Sequence, residues 1–169
     1  MITAVSLSLA ITVEPAERNV MLNRPRPRNE PLLSGSLVWR ILFVTTLLLV
    51  GTFSLFVWMR ESGADIETAR TAVVNAVVLF EVLYLFNVRR QDESAFASAF
   101  TTSALPAWGA ATFVIVLQVL FNYAEPMWVL FHSRPLAPQD WAASVCVGGS
   151  IFLLVEIEKW LLRYKQTSA

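Results

Sequence analysis

The sequence has 169 residues, of which 56% are hydrophobic and 15% charged, and its 13 basic side chains balance its 13 acidic ones. Soluble domains usually carry more charge than this, and the zero net charge excludes an overall positive field that would attract nucleic acid. The single cysteine, Cys146, excludes an internal disulfide, and the single histidine, His132, excludes a soft-metal site built from several such ligands.

The amino-terminal region divides into an apolar and a proline-rich part. Residues 1–13 carry no charge. A helix of that length rises about 20 Å, whereas the hydrocarbon core of a bilayer is about 30 Å thick. We therefore predict a partial transmembrane helix at 1–13. Residues 14–36 contain four prolines among arginines and acids, which predicts an extended cytoplasmic loop because proline at this density blocks regular structure.

Four longer stretches predict complete membrane spans. The stretch between Arg40 and Arg60 carries no charge, and the stretch between Arg70 and Arg89 carries only Glu81. The predicted spans are about 38–59, 71–88, 105–123 and 141–162. The predicted fold is therefore an all-α integral membrane protein, in which residues 37–169 form a bundle of four transmembrane helices preceded by a partial hydrophobic helix.

The basic residues predict the orientation of the chain in the bilayer. With four spans, ten of the 13 basic side chains lie on the side of residues 14–36, and three lie on the other side. Basic residues concentrate on the cytoplasmic side. We therefore expect a multi-pass protein of the plasma membrane with both termini in the cytoplasm and the lipid bilayer as a partner.

Glu81 is the residue in the spans that points to chemistry. It is the eleventh of the eighteen residues in 71–88, and a carboxyl group at that depth costs about 2.5–3.5 kcal/mol on insertion scales. Its helical neighbours on the same face are apolar except for Tyr84. One interpretation is that Glu81 provides oxygen ligands to a dehydrated cation. The other is a structural glutamate that is hydrogen-bonded to another helix, for example to Gln118.

Two further pairs of residues, one charged and one small, have structural interpretations. Glu156 and Lys159 are spaced for an ion pair at the end of a helix. Ser144 and Gly148 form a pair of small residues one helical turn apart, which favours close packing against another helix.

Short motifs follow one another in a specific order along almost the whole chain. They are Ile2-Thr3-Ala4, Glu14-Pro15, Asn19-Val20-Met21, Arg24-Pro25-Arg26-Pro27, Thr71-Ala72, Phe80-Glu81, Phe86-Asn87, Phe121-Asn122-Tyr123, Pro126-Met127, Asp140-Trp141 and Glu156-Ile157-Glu158-Lys159. Together they resemble the region of cation-transporting P-type ATPases that runs from the end of the sixth transmembrane helix through the tenth.

The resemblance implies roles for two residues. Glu81 matches the eighth-helix acid that contributes to a calcium site in such pumps, and Thr3 matches a sixth-helix threonine near the ion. Ala4 stands where calcium pumps carry an aspartate. The resemblance therefore implies a transported cation, calcium or another, with Glu81 and Thr3 as cation-binding residues. It implies no other cofactor in this chain.

The resemblance also implies a division of labour. The sequence holds neither the phosphorylation motif Asp-Lys-Thr-Gly-Thr nor a nucleotide-binding domain, so we expect no ATP hydrolysis by this chain on its own. We expect a truncated or split transport module that works with the catalytic remainder of a pump. The alternative is a free-standing four-helix membrane protein that binds or regulates a partner. An independent carrier is disfavoured, because the sequence shows no repeat symmetry.

Overall fold

The computed structural model describes residues 2–13, 35–89 and 104–167. Within these ranges the chain forms α-helices and no β-strand. In chain order they are α1 (Ile2–Val13), α2 (Gly35–Glu61), α3 (Ile66–Arg89), α4 (Leu105–Tyr123), α5 (Glu125–Phe131) and α6 (Pro138–Thr167). The all-α prediction is confirmed. The loop predicted at 14–36 lies outside the described residues except for Gly35 and Ser36, which begin α2.

Three helices in the described ranges are long and apolar enough to cross a membrane, judged by length and composition. These are the segments Leu37–Glu61, Ile66–Val88 and Leu105–Tyr123 of α2, α3 and α4. The predicted fourth span, 141–162, lies within the continuous helix α6, which is not one of the three. The helices fit a membrane protein, and a count of four spans stays a prediction.

Helix α3 is the centre of the bundle. It packs against α1, α2, α4 and α6. In its most apolar stretch 56% of the residues are buried, compared with 28% in α4 and 6% in α2. The outward faces of the other helices carry large apolar side chains such as Leu49, Phe53 and Phe113, which are more than half exposed. Lipid is the environment in which such faces are stable.

Small residues bring α6 very close to α3. The Ser144 hydroxyl donates a hydrogen bond to the Ala72 carbonyl oxygen over 3.0 Å. A Cβ atom on Gly148 would lie only 2.9 Å from the Ala76 carbonyl oxygen, so no larger residue fits there without movement. The prediction that Ser144 and Gly148 allow close helix packing is confirmed.

The segment that connects α4 to α6 contains the short helix α5, which lies between the predicted spans 105–123 and 141–162. Pro126 occupies the first turn of α5, where its missing N–H group is not needed. The helix ends at His132, which has a left-handed conformation with φ of 53°. The Trp128 indole donates to the Asn122 carbonyl oxygen over 2.9 Å and so folds α5 back onto the end of α4.

Arg134 ties this connection to the turn between α2 and α3. Its Nε donates to Glu67 Oε2 over 2.7 Å and lies 3.4 Å from Asp65 Oδ2. Its backbone N–H donates to Thr71 Oγ1 over 3.2 Å. A hydrogen bond from Thr68 and the positive charge of Arg134 hold the pKa of Asp65 below its usual value. We call this end of the bundle, formed by residues 62–65 and 132–137, the turn end.

Candidate cation site

Glu81 lies in the middle of α3, half-buried. Its Oε2 atom is buried and accepts no hydrogen bond from any part of the chain that the structure describes. A buried acceptor without a partner costs about 1–3 kcal/mol. The carboxylate thus offers an oxygen that the surrounding helices leave unused.

Two buried asparagines flank Glu81 at equal spacing. Asn75 precedes it and Asn87 follows it by six residues, and both are fully buried. Six residues correspond to a rise of about 9 Å and to a net rotation of about 120° around the helix axis. The three side chains therefore leave α3 in three directions, about 120° apart from one another.

Asn75 points from α3 towards α4. Its Oδ1 accepts hydrogen bonds from Gln118 Nε2 and, over 3.0 Å, from Asn122 Nδ2. The three amides are buried, with Asn75 and Asn122 at 0% exposure and Gln118 at 8%. Gln118, which the sequence offers as a partner for Glu81, is therefore engaged with Asn75, and that part of the structural interpretation is wrong.

Asn87 points towards α2 and α6. Its Oδ1 accepts a hydrogen bond from Arg40 Nη2 of α2, and its Nδ2 donates to Glu156 Oε2 of α6. Its carbonyl oxygen accepts a bond from Lys159 Nζ over 3.0 Å. The sequence pattern predicts Glu156 and Lys159 as a pair but misses the asparagine that binds both. One feature of the sequence could have indicated this contact. Asn87 lies at the carboxy-terminal end of the span 71–88, and the neighbouring spans carry charged residues near their own ends.

The third direction, where Glu81 lies, is only partly covered by the described helices. Val74, two turns before Glu81, is 40% exposed, and Val77, Tyr84 and Val88 are half-buried. The Tyr84 ring stacks on Phe80 of its own helix with a centroid distance of 5.2 Å. We call the face formed by Val74, Val77, Glu81, Tyr84 and Val88 the Glu81 face.

Thr3, the second predicted cation-binding residue, lies half-buried on α1. This helix packs against α4 and α3, and its Leu7 is buried in the same apolar cluster as Val78 and Leu85. Within the described ranges no hydrogen bond joins Thr3 to Glu81. The same ranges hold no group of three histidine, cysteine or acidic side chains that could bind a metal ion. The roles of Thr3 and Glu81 stay predictions.

Comparison with known proteins identifies the family. Residues 1–161 match the family described as cation transporting ATPase, C-terminus. The chain belongs to this family. The resemblance that the sequence motifs indicate is confirmed, and it covers nearly the whole chain.

Individual relatives of this cation-ATPase C-terminal domain are much longer proteins. The chain is 34% identical over 170 residues to the probable cation-transporting ATPase F of Mycobacterium tuberculosis, covering 98% of this chain and 18% of the relative. It is 29% identical to the cation-transporting ATPase pma1 of Synechocystis, covering 84% of this chain and 16% of that protein. It is 26% identical to the calcium-transporting ATPase 1 of Yarrowia lipolytica, covering 94% and 17%. The chain thus spans less than a fifth of each of these relatives.

Proposed function

We propose that this chain is the membrane-embedded cation-transport module of a P-type ATPase and that Glu81 binds the transported cation. The observation that carries the proposal is the buried, unpaired Oε2 of Glu81. Glu81 lies on the side of α3 that faces away from the hydrogen bonds of Asn75 with α4 and of Asn87 with α2 and α6. Intramembrane acids that face the inside of a bundle usually mark an ion pathway.

The chemistry of Glu81 suits a hard cation that sheds its water. Calcium takes six to eight oxygen ligands, from carboxylates, carbonyls, amides and water. One carboxylate and the Thr3 hydroxyl provide too few of these oxygens. The site proposed here therefore needs ligands from the catalytic remainder of the pump, which would cover the Glu81 face. Calcium or another cation is compatible with a single carboxylate.

The proposal includes four membrane spans, with α6 as the fourth. It places the pump in the plasma membrane, with both termini of this chain in the cytoplasm. Support for α6 comes from its charged residues, because Glu156 and Lys159 are both hydrogen-bonded to Asn87. Lys159 is only 3% exposed. Hydrogen bonds of this kind lower the cost of placing charged groups near the edge of a bilayer.

The test joins this chain to the amino-terminal part of the matched Mycobacterium tuberculosis relative and measures cation-stimulated ATP hydrolysis. Glu81→Gln removes the charge but keeps the shape of the side chain. We expect the cation concentration for half-activation to rise by roughly tenfold or more, since a charged ligand contributes more than a neutral one.

The matched control is Leu83→Gln, which introduces the same amide two residues away on an exposed part of α3. It should leave half-activation unchanged. If Glu81→Gln also left half-activation unchanged in an active pump, Glu81 would be structural. A joined protein that inserts into the membrane but shows no cation-stimulated hydrolysis would instead favour the alternative, a partner-binding membrane protein.

A further inference from the structure

The position of Glu81 depends on how α3 is rotated and on how deep it sits. In a membrane, apolar packing gives little preference for one rotation over another, because lipid tails are as apolar as leucine and valine. Close packing and hydrogen bonds between helices provide the specificity instead. The residues that fix Glu81 are therefore to be sought among the buried polar side chains of α3.

Two of those side chains bond to other helices by directional contacts. Asn75 Oδ1 accepts two hydrogen bonds from α4. The Asn87 amide accepts one from Arg40 of α2 and donates one to Glu156 of α6. Each contact forms only when the amide meets its partners at one depth and one rotation. A third buried polar side chain, Thr71, donates to the Glu67 carbonyl oxygen of its own helix and accepts from the Arg134 N–H group in the connection between α5 and α6, not from another helix.

The geometry makes the two contacts complementary. The asparagines point about 120° apart and lie about 18 Å apart along the helix axis. Any rotation of α3, or any shift along its axis, therefore moves both amides away from their hydrogen-bond partners. A rotation by one residue, about 100°, would carry both amides away from their partners and would turn Glu81 off its face.

We propose that Asn75 and Asn87 are positioning residues that set the depth and rotation of Glu81. Asn75 anchors α3 to α4 on the amino-terminal side of Glu81, and Asn87 anchors α3 to α2 and α6 on its carboxy-terminal side. That these residues tune cation binding rests on the proposed function of Glu81. That they fix the position of the side chain does not.

The structural test uses the full chain in phosphatidylcholine vesicles, with Cys146→Ser to remove the native thiol and a spin label on Glu81→Cys. Accessibility to oxygen and to a water-soluble nickel complex reports the depth and orientation of the label. Asn75→Leu and Asn87→Leu should each change both accessibilities as a rotation of up to about 100° would. Leu85→Ala, which removes a buried apolar side chain of the same helix without touching an amide, should leave them unchanged.

Variants on the partner helices remove the same bonds without altering α3. Gln118→Leu should reproduce part of the change seen with Asn75→Leu, because Asn122 still donates to Asn75. The double variant should show no more change than Asn75→Leu alone, since Asn75→Leu already removes the contact with Gln118. Glu156→Leu should likewise reproduce part of the effect of Asn87→Leu. If Asn75→Leu or Asn87→Leu failed to insert, these partner variants would decide the matter.

Unchanged accessibility in the partner variants would overturn the proposal. In the joined pump, Gln118→Leu should raise the cation concentration for half-activation by roughly fivefold, as loss of one buried hydrogen bond would, with little change in maximal rate. The two experiments can also disagree. If the label moved in vesicles but Glu81→Gln left half-activation of the joined pump unchanged, the anchoring of α3 would stand and the cation-binding role of Glu81 would be rejected.

Discussion

Asn87 of α3 donates a hydrogen bond to Glu156 of α6 across 69 residues of sequence. The same asparagine also binds a basic side chain on each of the two neighbouring helices, Arg40 and Lys159. The uncharged amide of Asn87 therefore binds one cation and one anion, and its backbone carbonyl oxygen binds a second cation. Groups that would be costly to bury alone are stabilised because they share a partner.

Two acids in α6 should respond in opposite ways to replacement by leucine. Glu156→Leu removes the acceptor of the Asn87 amide, and we expect the free energy of unfolding to fall by about 1–3 kcal/mol. Glu158 differs, since both of its carboxylate oxygens are buried without a hydrogen-bond partner in the described part of the chain. Glu158→Leu should leave stability unchanged or raise it. Thermal unfolding in detergent, followed by circular dichroism, measures both, and equal losses would contradict the assignment.

Adjacent glycines of α6 should also differ. Gly148→Ala places a Cβ atom 2.9 Å from the Ala76 carbonyl oxygen, so we expect a loss of about 1–3 kcal/mol from overpacking. Gly149→Ala meets no atom of the described structure within 4 Å. It should raise stability by up to about 1 kcal/mol, because alanine favours helix over glycine. A tolerated Gly148→Ala would mean that α3 and α6 lie farther apart than described.

The amide cluster between α3 and α4 should show strong coupling. Asn75→Leu leaves the Gln118 and Asn122 donors buried without their acceptor, and we expect a loss of about 1–3 kcal/mol for this imbalance. Adding Gln118→Leu removes one of the two stranded donors and should recover part of the loss. A double-mutant cycle on thermal unfolding measures the coupling energy. Strict additivity would show that the two side chains do not interact.

The turn end should lose stability in acid. The pKa of Asp65 is held down by Thr68 and Arg134, so the folded state favours the carboxylate more than the unfolded state does. The contribution is therefore present above the unfolded pKa of Asp65. It disappears as the pH falls from about 4 through the lower folded pKa. Asp65→Asn should be less stable than the parent at pH 7, and the difference should shrink in acid.

The size of this pH effect should be small, because the Asp65 side chain is 46% exposed. Arg134→Gln provides the control, since it removes the shared cation and should weaken the pH dependence, while the hydrogen bond from Thr68 retains part of it. Detergent-solubilised protein unfolded at a series of pH values supplies the measurement. An equal difference between Asp65→Asn and the parent at every pH would argue against the ion pair.

Features that depend on local sequence could be predicted, and features that depend on helix neighbours could not. Uncharged runs between arginines indicate apolar helices such as α2, because charge is excluded from lipid. The small pair Ser144 and Gly148 indicates close packing for the same kind of local reason. The partners of Asn75 lie 43 and 47 residues away, so they depend on which helix packs beside α3.

The candidate site divides in the same way. The position of Glu81 in an apolar stretch can be read directly from the sequence, whereas its unpaired Oε2 is visible only in the structure. Its proposed partner Gln118 was wrong because position along a span does not reveal rotation. The sequence does not predict helix α5, because seven residues are too few to show a helical repeat of apolar positions and Pro126 is compatible with a loop as well as with a first helical turn.

The contact between α3 and α6 has a mechanical consequence. Where Gly148 meets Ala76, the two backbones touch with no long side chain between them that could change rotamer. Packed helices can shift past one another in small steps when the side chains between them change rotamer. At this contact no such side chains separate the two backbones. In a pump of the kind proposed above, we therefore expect α3 and α6 to move together as one rigid unit, and bending to occur between helices that meet through larger side chains.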